Sequence, residues 1–166
     1  MSYDNRPLPI GYGQTISQPF IVALMTQYLD INSDDIILEI GTGCGYQAAI
    51  LGELAKRVYS IEIIPTLAES ARQRLQDLGY TNIEVYSQDG HLGLDDYSPY
   101  DSIIVTATGK TIPKALIKQL KQGGKMILPI GGEYETQYLT LVEKKSGNRI
   151  EKLRSIPVRF VPLTHD

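Results

Sequence analysis

Cysteine occurs once and histidine twice in the 166 residues. One cysteine excludes an internal disulfide, and so small a set of soft donors makes a poor metal site, so no metal is expected. No apolar run approaches the roughly 20 residues that span a bilayer. The opening Met1-Ser-Tyr-Asp-Asn-Arg-Pro lacks the apolar stretch of a secretory signal. Excess positive charge is missing too. A net charge of −3 argues against a nucleic-acid binder that works through a broad basic surface. These absences predict a cytoplasmic, reducing setting with neither nucleic acid nor membrane as partner. A monomer or weak oligomer is expected, although composition does not set the oligomeric state.

What is present is ordinary globular material, 42% hydrophobic and 21% charged, in a length that suits one domain. Its organising stretch is Glu39-Ile-Gly-Thr-Gly-Cys-Gly-Tyr46. The preceding run, Asp35 to Ile40, is short and β-branched and reads as a buried strand. The following run, Gln47 to Ala55, has apolar residues at three- and four-residue spacings and reads as a helix. Glycines at alternate positions between them predict a tight turn that lets a ligand approach the backbone at a helix N-terminus.

Along the chain, the prolines and glycines of residues 1–16 forbid a helix and predict an ordered loop or arm. A helix follows from Pro19, with Ile21, Leu24, Met25, Tyr28 and Leu29 on one face, and Ser17 is most simply its N-cap. Further strands are expected over 57–63, 82–87, 100–106 and 125–130, with helices over 65–78 and 112–120 between them. The stripe of the 65–78 helix is Leu67, Ala71, Leu75 and Leu78. Residues 137–143 and 149–156, flanking Ser146-Gly-Asn148, read as a β-hairpin that Val158 to Val161 can extend. Strand–helix alternation predicts an α/β fold, a mostly parallel sheet with helices on both faces and a C-terminal antiparallel hairpin.

The glycine spacing separates cofactors. A dinucleotide fingerprint needs glycine at the first, third and sixth positions. Here Gly41, Gly43 and Gly45 fall at the first, third and fifth, and Tyr46 stands sixth. Glu39, two residues before the turn, suits a cofactor with a cationic amino-acid end better than a pyrophosphate. Glu62 ends the second strand, where a carboxylate can take both ribose hydroxyls. Asp89, after the third, can meet an adenine amino group or simply serve the Asp-Gly turn. Ser17 and Thr15, beside a helix start, make a site for a carboxylate. Pro19 has no N–H, so the Ser17 hydroxyl is left with the Phe20 amide or a ligand. His91 and Cys44 read as a polar loop residue and a small turn residue.

Pro9-Ile-Gly-Tyr-Gly-Gln-Thr-Ile-Ser-Gln-Pro19, Leu38 to Tyr46, Asp89-Gly90, Leu128-Pro-Ile-Gly131 and Arg159-Phe-Val-Pro-Leu163 together resemble the protein-L-isoaspartate O-methyltransferase family. The Gly-Gln-Thr-Ile-Ser-Gln-Pro element is specific to it, and the glycine turn marks the wider S-adenosylmethionine-dependent class. The resemblance implies a Rossmann-like class I methyltransferase domain over residues 1–166, with 1–16 as an arm over the active site and 17–166 as the α/β core. It implies methyl transfer from S-adenosylmethionine to isoaspartyl carboxylates in protein or peptide substrates, after which the ester cyclises to a succinimide unaided. Ser17 matches the family's active-site serine, with Thr15, Ile16 and Arg159 toward substrate. Gly11, Tyr12, Gly13 and Gln14 match its cofactor loop. Glu39, Gly41, Thr42, Gly43, Cys44, Gly45, Glu62, Ile63, Asp89, Gly90 and Thr164 fall at cofactor positions. A substrate carboxylate is already ionised near neutral pH, so neither His91 nor His165 is needed as a base. The family carries a helical segment before Pro9-Ile-Gly11, where this chain nearly starts. A fragment or truncated member, or a lid supplied by a partner, is therefore expected. The competing readings are a related enzyme acting on another peptide carboxylate, an NAD-type oxidoreductase, which the glycine spacing disfavours, and a remnant that binds cofactor without turnover.

Overall fold

The computed structural model describes residues 4–132 and 134–164. The arm is not a loop. β1 (Leu8–Gly11) and β2 (Gln14–Ile16) pair antiparallel, turning through Tyr12-Gly13. The prolines and glycines that forbid a helix are tolerated in a two-stranded ribbon with no inner strand to interrupt. α1 (Pro19–Leu29) leads to β3 (Ile36–Ile40), and α2 (Tyr46–Leu54), β4 (Arg57–Glu62), α3 (Pro65–Asp77) and β5 (Ile83–Ser87) follow. Two short 3-10 turns precede β6 (Tyr100–Val105). Then come α4 (Lys114–Gln119), β7 (Leu120–Ile130), β8 (Gln137–Lys144) and β9 (Ile150–Val158).

The main sheet runs β5-β4-β3-β6-β7-β8-β9. The first five are parallel, and β8 is antiparallel to both β7 and β9. The expected α/β architecture with its closing hairpin is what forms. On one face Ile21, Met25 and Leu29 of α1 and Leu51 of α2 pack on Ile37, Val58, Ile104 and Ile127. On the other, Leu116 of α4 packs on Leu38, Ile40, Ile103, Val105 and Met126. Each such fully buried aliphatic side chain is worth about 1.5–3 kcal/mol over an exposed one. Lys144 carries its ammonium into the α4 side and donates to the carbonyls of Ile117, Lys118 and Leu120 at 2.8, 3.2 and 2.7 Å, closing the helix end.

Several boundaries differ from the sequence expectation. α4 starts at Lys114, because Pro113 is extended. β7 starts at Leu120 rather than Lys125. Leu120 already pairs with Tyr100, and a register shift before Ser102 absorbs the glycine pair. Leu78 lies past the end of α3 and is 65% exposed, so it leaves the apolar stripe. β9 stops at Val158, short of the expected Val161.

Candidate active site

The parallel strands end on one edge, and the turns leaving them meet there. At the end of β3, Gly41 and Thr42 donate to the Ile61 carbonyl at 2.8 and 3.2 Å, and Gly45 donates to Thr42 O at 2.8 Å. Gly41 has φ +97, and Thr106 Oγ1 occupies the place a Cβ would take. The Thr106 hydroxyl faces the carbonyls of Ile40 and Gly41 at 3.1 and 2.8 Å. Thr106 immediately follows β6 and walls every space described below. Sequence reading passed over it. The strand-end rule that selected Glu62 would have found it.

Two charged side chains brace the turn. Glu62 Oε2 accepts from the Gly43 amide at 2.8 Å, and Oε1 accepts from the Ile64 amide at 3.0 Å. Each carboxylate oxygen keeps a second lone pair, so Glu62 is held in place with acceptor capacity to spare. From outside, Arg74 of α3 donates to the Cys44 carbonyl at 2.7 Å and to Ser70 Oγ at 3.2 Å. Nothing local in the sequence marks Arg74 for this.

Glu39 lies beneath the turn and is fully buried. Ser60 Oγ donates to its Oε2 at 2.5 Å and stands 2.5 Å from Thr42 Oγ1, so a hydrogen-bonded chain ties the carboxyl to the glycine turn. Its Oε1 has no partner among the described residues. Burial pushes the carboxyl up to about 8; the Ser60 bond opposes this, and the nearby Glu62 charge adds to it. Glu39 is not on a cavity wall, so in this arrangement it reaches a ligand only through Thr42.

The β1–β2 arm folds over the turn, with Ile10 Cδ1 against Gly43. Beneath it lies a cavity walled by Gln14, Thr15, Gly41, Gly43, Glu62, Ile63, Gly90 and Thr164, with no lysine or arginine in its lining among the described residues. A narrow slot between arm and turn reaches Ile16, Ser17, Thr42 and Cys44. On the far side opens a groove of about 1030 Å³ including its mouth, walled by Thr15, Ser17, Thr106, Arg159 and Phe160. Thr15 and Thr106 are common to all three, and the groove and the cavity meet at these two residues and Val161.

Ser17 is not the helix cap. That position belongs to Gln18, with no side-chain cap bond, and the Phe20 amide is taken by Asn5 Oδ1 at 3.3 Å. Ser17 is thereby left without the capping role and lines both the groove and the slot. Other expected residues stand apart. Gly11, Tyr12 and Gly13 form the arm's tip, with Tyr12 64% exposed. Gly45 backs onto Leu75 of α3. Asp89 takes the turn role, accepting from the His91 amide at 2.8 Å and pairing with His91 Nδ1 at 2.9 Å; its neighbour Gly90 lines the cavity. His165 lies outside the described residues. Among the described residues no His/Cys/Asp/Glu cluster could hold a metal ion, and no helix is long and apolar enough to cross a membrane.

A parallel sheet with a glycine turn after its first strand, an acid ending the second and an antiparallel hairpin at one edge is the class I methyltransferase fold. A solved Plasmodium falciparum structure with S-adenosyl-L-homocysteine, titled as a protein-L-isoaspartate O-methyltransferase, matches that fold with TM-score 0.83 at 24% identity, over 99% of this chain and 82% of its own. The chain belongs to the protein-L-isoaspartate(D-aspartate) O-methyltransferase family, whose model matches residues 1–166. It is 55% identical over 163 residues to Protein-L-isoaspartate O-methyltransferase 2 of Syntrophobacter fumaroxidans, covering 98% of this chain and 66% of that protein. Against Protein-L-isoaspartate O-methyltransferase 1 of Nitrosospira multiformis it is 54% identical, covering 98% and 69%. A solved protein-L-isoaspartate O-methyltransferase superposes with TM-score 0.89 at 30% identity, over 96% of this chain and 53% of its own. The chain thus spans about two thirds of these curated relatives and about half of that solved chain.

Proposed function

We propose that this chain transfers a methyl group from S-adenosylmethionine to the free carboxylate of L-isoaspartyl residues in protein or peptide substrates, as a repair activity. The observation that carries this reading is Ser17, not engaged as a helix cap and lining a groove that meets the glycine-turn cavity at Thr15, Thr106 and Val161. The cavity fits the cofactor. Among the described residues its lining has no basic side chain for a pyrophosphate; it holds Glu62 ready for a diol, and Gly41 and Gly43 keep the backbone bare. Gly90, which lines the cavity, would border the cofactor's base.

When bound, the cofactor supplies an electrophilic methyl group on its sulfonium. The chain's own task is alignment and exclusion of water. The isoaspartyl carboxylate arrives ionised, so no general base is required. Ser17 donates a hydrogen bond that orients it. Arg159, exposed on the groove wall, attracts the anionic peptide. The arm carries Thr15 and Gln14 over the cavity and shields it from solvent.

The test is transfer of labelled methyl from S-adenosylmethionine to an isoaspartyl peptide and to its aspartyl counterpart, with S-adenosylhomocysteine binding measured by calorimetry on the same protein. Methyl incorporation into the isoaspartyl peptide alone is expected. Tight S-adenosylhomocysteine binding with no transfer to any isoaspartyl peptide would overturn the proposal and leave a cofactor-binding protein.

A further inference from the structure

The last ladder pair between β8 and β9 joins Gln137 to Val158. Two residues further on the chain is still tied to β8, but by a side chain. Gln137 is buried, its Oε1 accepts from the Phe160 amide at 2.6 Å, and its Nε2 donates to the Phe160 carbonyl at 3.1 Å. One primary amide thus imitates the pair of backbone bonds that a further β-residue would make. Downstream, the Thr108 amide donates to Val161 O and the Leu163 amide to Thr108 O, both at 2.8 Å. The strap from 159 to 164 therefore has two separate anchors. Gln137 holds its groove end, at Arg159 and Phe160, and Thr108 holds its cavity end, at Leu163 and Thr164.

Arg159 has no ion pair or hydrogen bond among the described residues to fix it, so its placement follows from the backbone on either side. Val158 is fixed by the ladder and Phe160 by Gln137. A buried polar side chain needs hydrogen-bond partners, which explains why Gln137 bonds to something. It does not explain a bidentate grip on the residue next to Arg159, the one cation lining the groove among the described residues.

We propose that Gln137 is a positioning residue for substrate, acting through Phe160 to set where Arg159 meets the anionic peptide. This rests on the groove being the peptide site, as argued above. Its signature is a split: the groove end of the strap responds to Gln137, and the cavity end, held by Thr108, does not.

The experiment compares Gln137→Met, Arg159→Ala and the double variant for isoaspartyl-peptide KM, kcat and S-adenosylhomocysteine affinity. Gln137→Met keeps the side-chain length and removes both bonds. It is expected to raise peptide KM about tenfold, with S-adenosylhomocysteine affinity within about twofold of the parent. In the Arg159→Ala background it should add less than about threefold, because both substitutions remove the same placement. Gln137→Glu gives a second handle, since its protonated form restores a donor and an acceptor. Its KM should fall toward the parent's as pH drops from 8 to 5.5, beyond any change in the parent, and this arm serves if the Met variant does not fold. An unchanged KM in Gln137→Met beside a raised KM in Arg159→Ala would overturn the inference alone. So would full multiplicativity of the two effects, or a cofactor affinity that falls in step with KM. If Arg159→Ala itself leaves KM unchanged, the reading of the groove as the peptide site falls, and the inference with it.

Discussion

Replacing Glu39 by Gln tests the account of the turn's foundation. The carboxyl is fully buried, pushed from 4.5 up to about 8 chiefly by loss of solvent, and one of its oxygens lacks a partner among the described residues. The folded chain therefore keeps this proton to higher pH than the unfolded chain does. Between pH 4.5 and 8 the native state binds more protons, so this group's contribution to stability falls as pH rises, with a slope approaching about 1.4 kcal/mol per unit. Across the window the loss is on the order of 5 kcal/mol, and above the folded value it levels off. Gln has no such slope. Its Nε2, at the position of Oε1, lacks an acceptor at a cost of about 1–3 kcal/mol, but a protonated Glu39 bears the same deficit, so that cost is nearly constant with pH. Urea unfolding of both proteins from pH 5 to 9, taken as a difference curve, cancels the other carboxylates. The two should lie close near pH 5, and by pH 8 the variant should have gained at least about 2 kcal/mol on the parent. A flat difference curve, or one in which the parent gains with pH, would refute a neutral Glu39 beneath the turn.

Ser17→Ala is expected to lower kcat on an isoaspartyl peptide by about 10–100-fold while S-adenosylhomocysteine binding in calorimetry stays within about twofold; equal losses in both would remove Ser17 from the substrate side. Gly41→Ala puts a methyl into Thr106 Oγ1 at a positive φ, so it should cost about 1–3 kcal/mol in urea and abolish S-adenosylhomocysteine binding. Normal binding by this variant would show that the turn tolerates a side chain. Lys144→Met removes three bonds to the end of α4 and should lower stability by about 2–3 kcal/mol with cofactor affinity unchanged, and an unshifted urea midpoint would count against that role.

Features set by a residue's immediate neighbours were legible in the sequence. β-Branched runs mark β3, β4 and β6, and the alternate glycines after β3 mark a turn whose Gly41 position leaves no room for a Cβ. Glu62 was legible because a strand end is a local event and the parallel topology brings such ends together. Features settled by competition for a hydrogen bond were not. Ser17 looked like a cap because it precedes a helix, but Asn5, fifteen residues from Phe20, takes the amide it would have served. The arm looked like a loop because proline and glycine exclude a helix without excluding a ribbon, and its turn places Tyr12 at φ +53, which no propensity announces. Arg74 and Gln137 act across 30 and 23 residues, on the carbonyl of Cys44 and the backbone of Phe160. The candidate catalytic hydroxyl is itself a product of such a contest. Ser17 lines the groove, and a more distant side chain holds the Phe20 amide that a cap would have served. Removing Asn5 Oδ1 should therefore pull the hydroxyl back toward that amide and weaken transfer, although Asn5 is not on the groove wall. An Asn5→Ala variant with full turnover would mean that the Ser17 hydroxyl owes nothing to that competition.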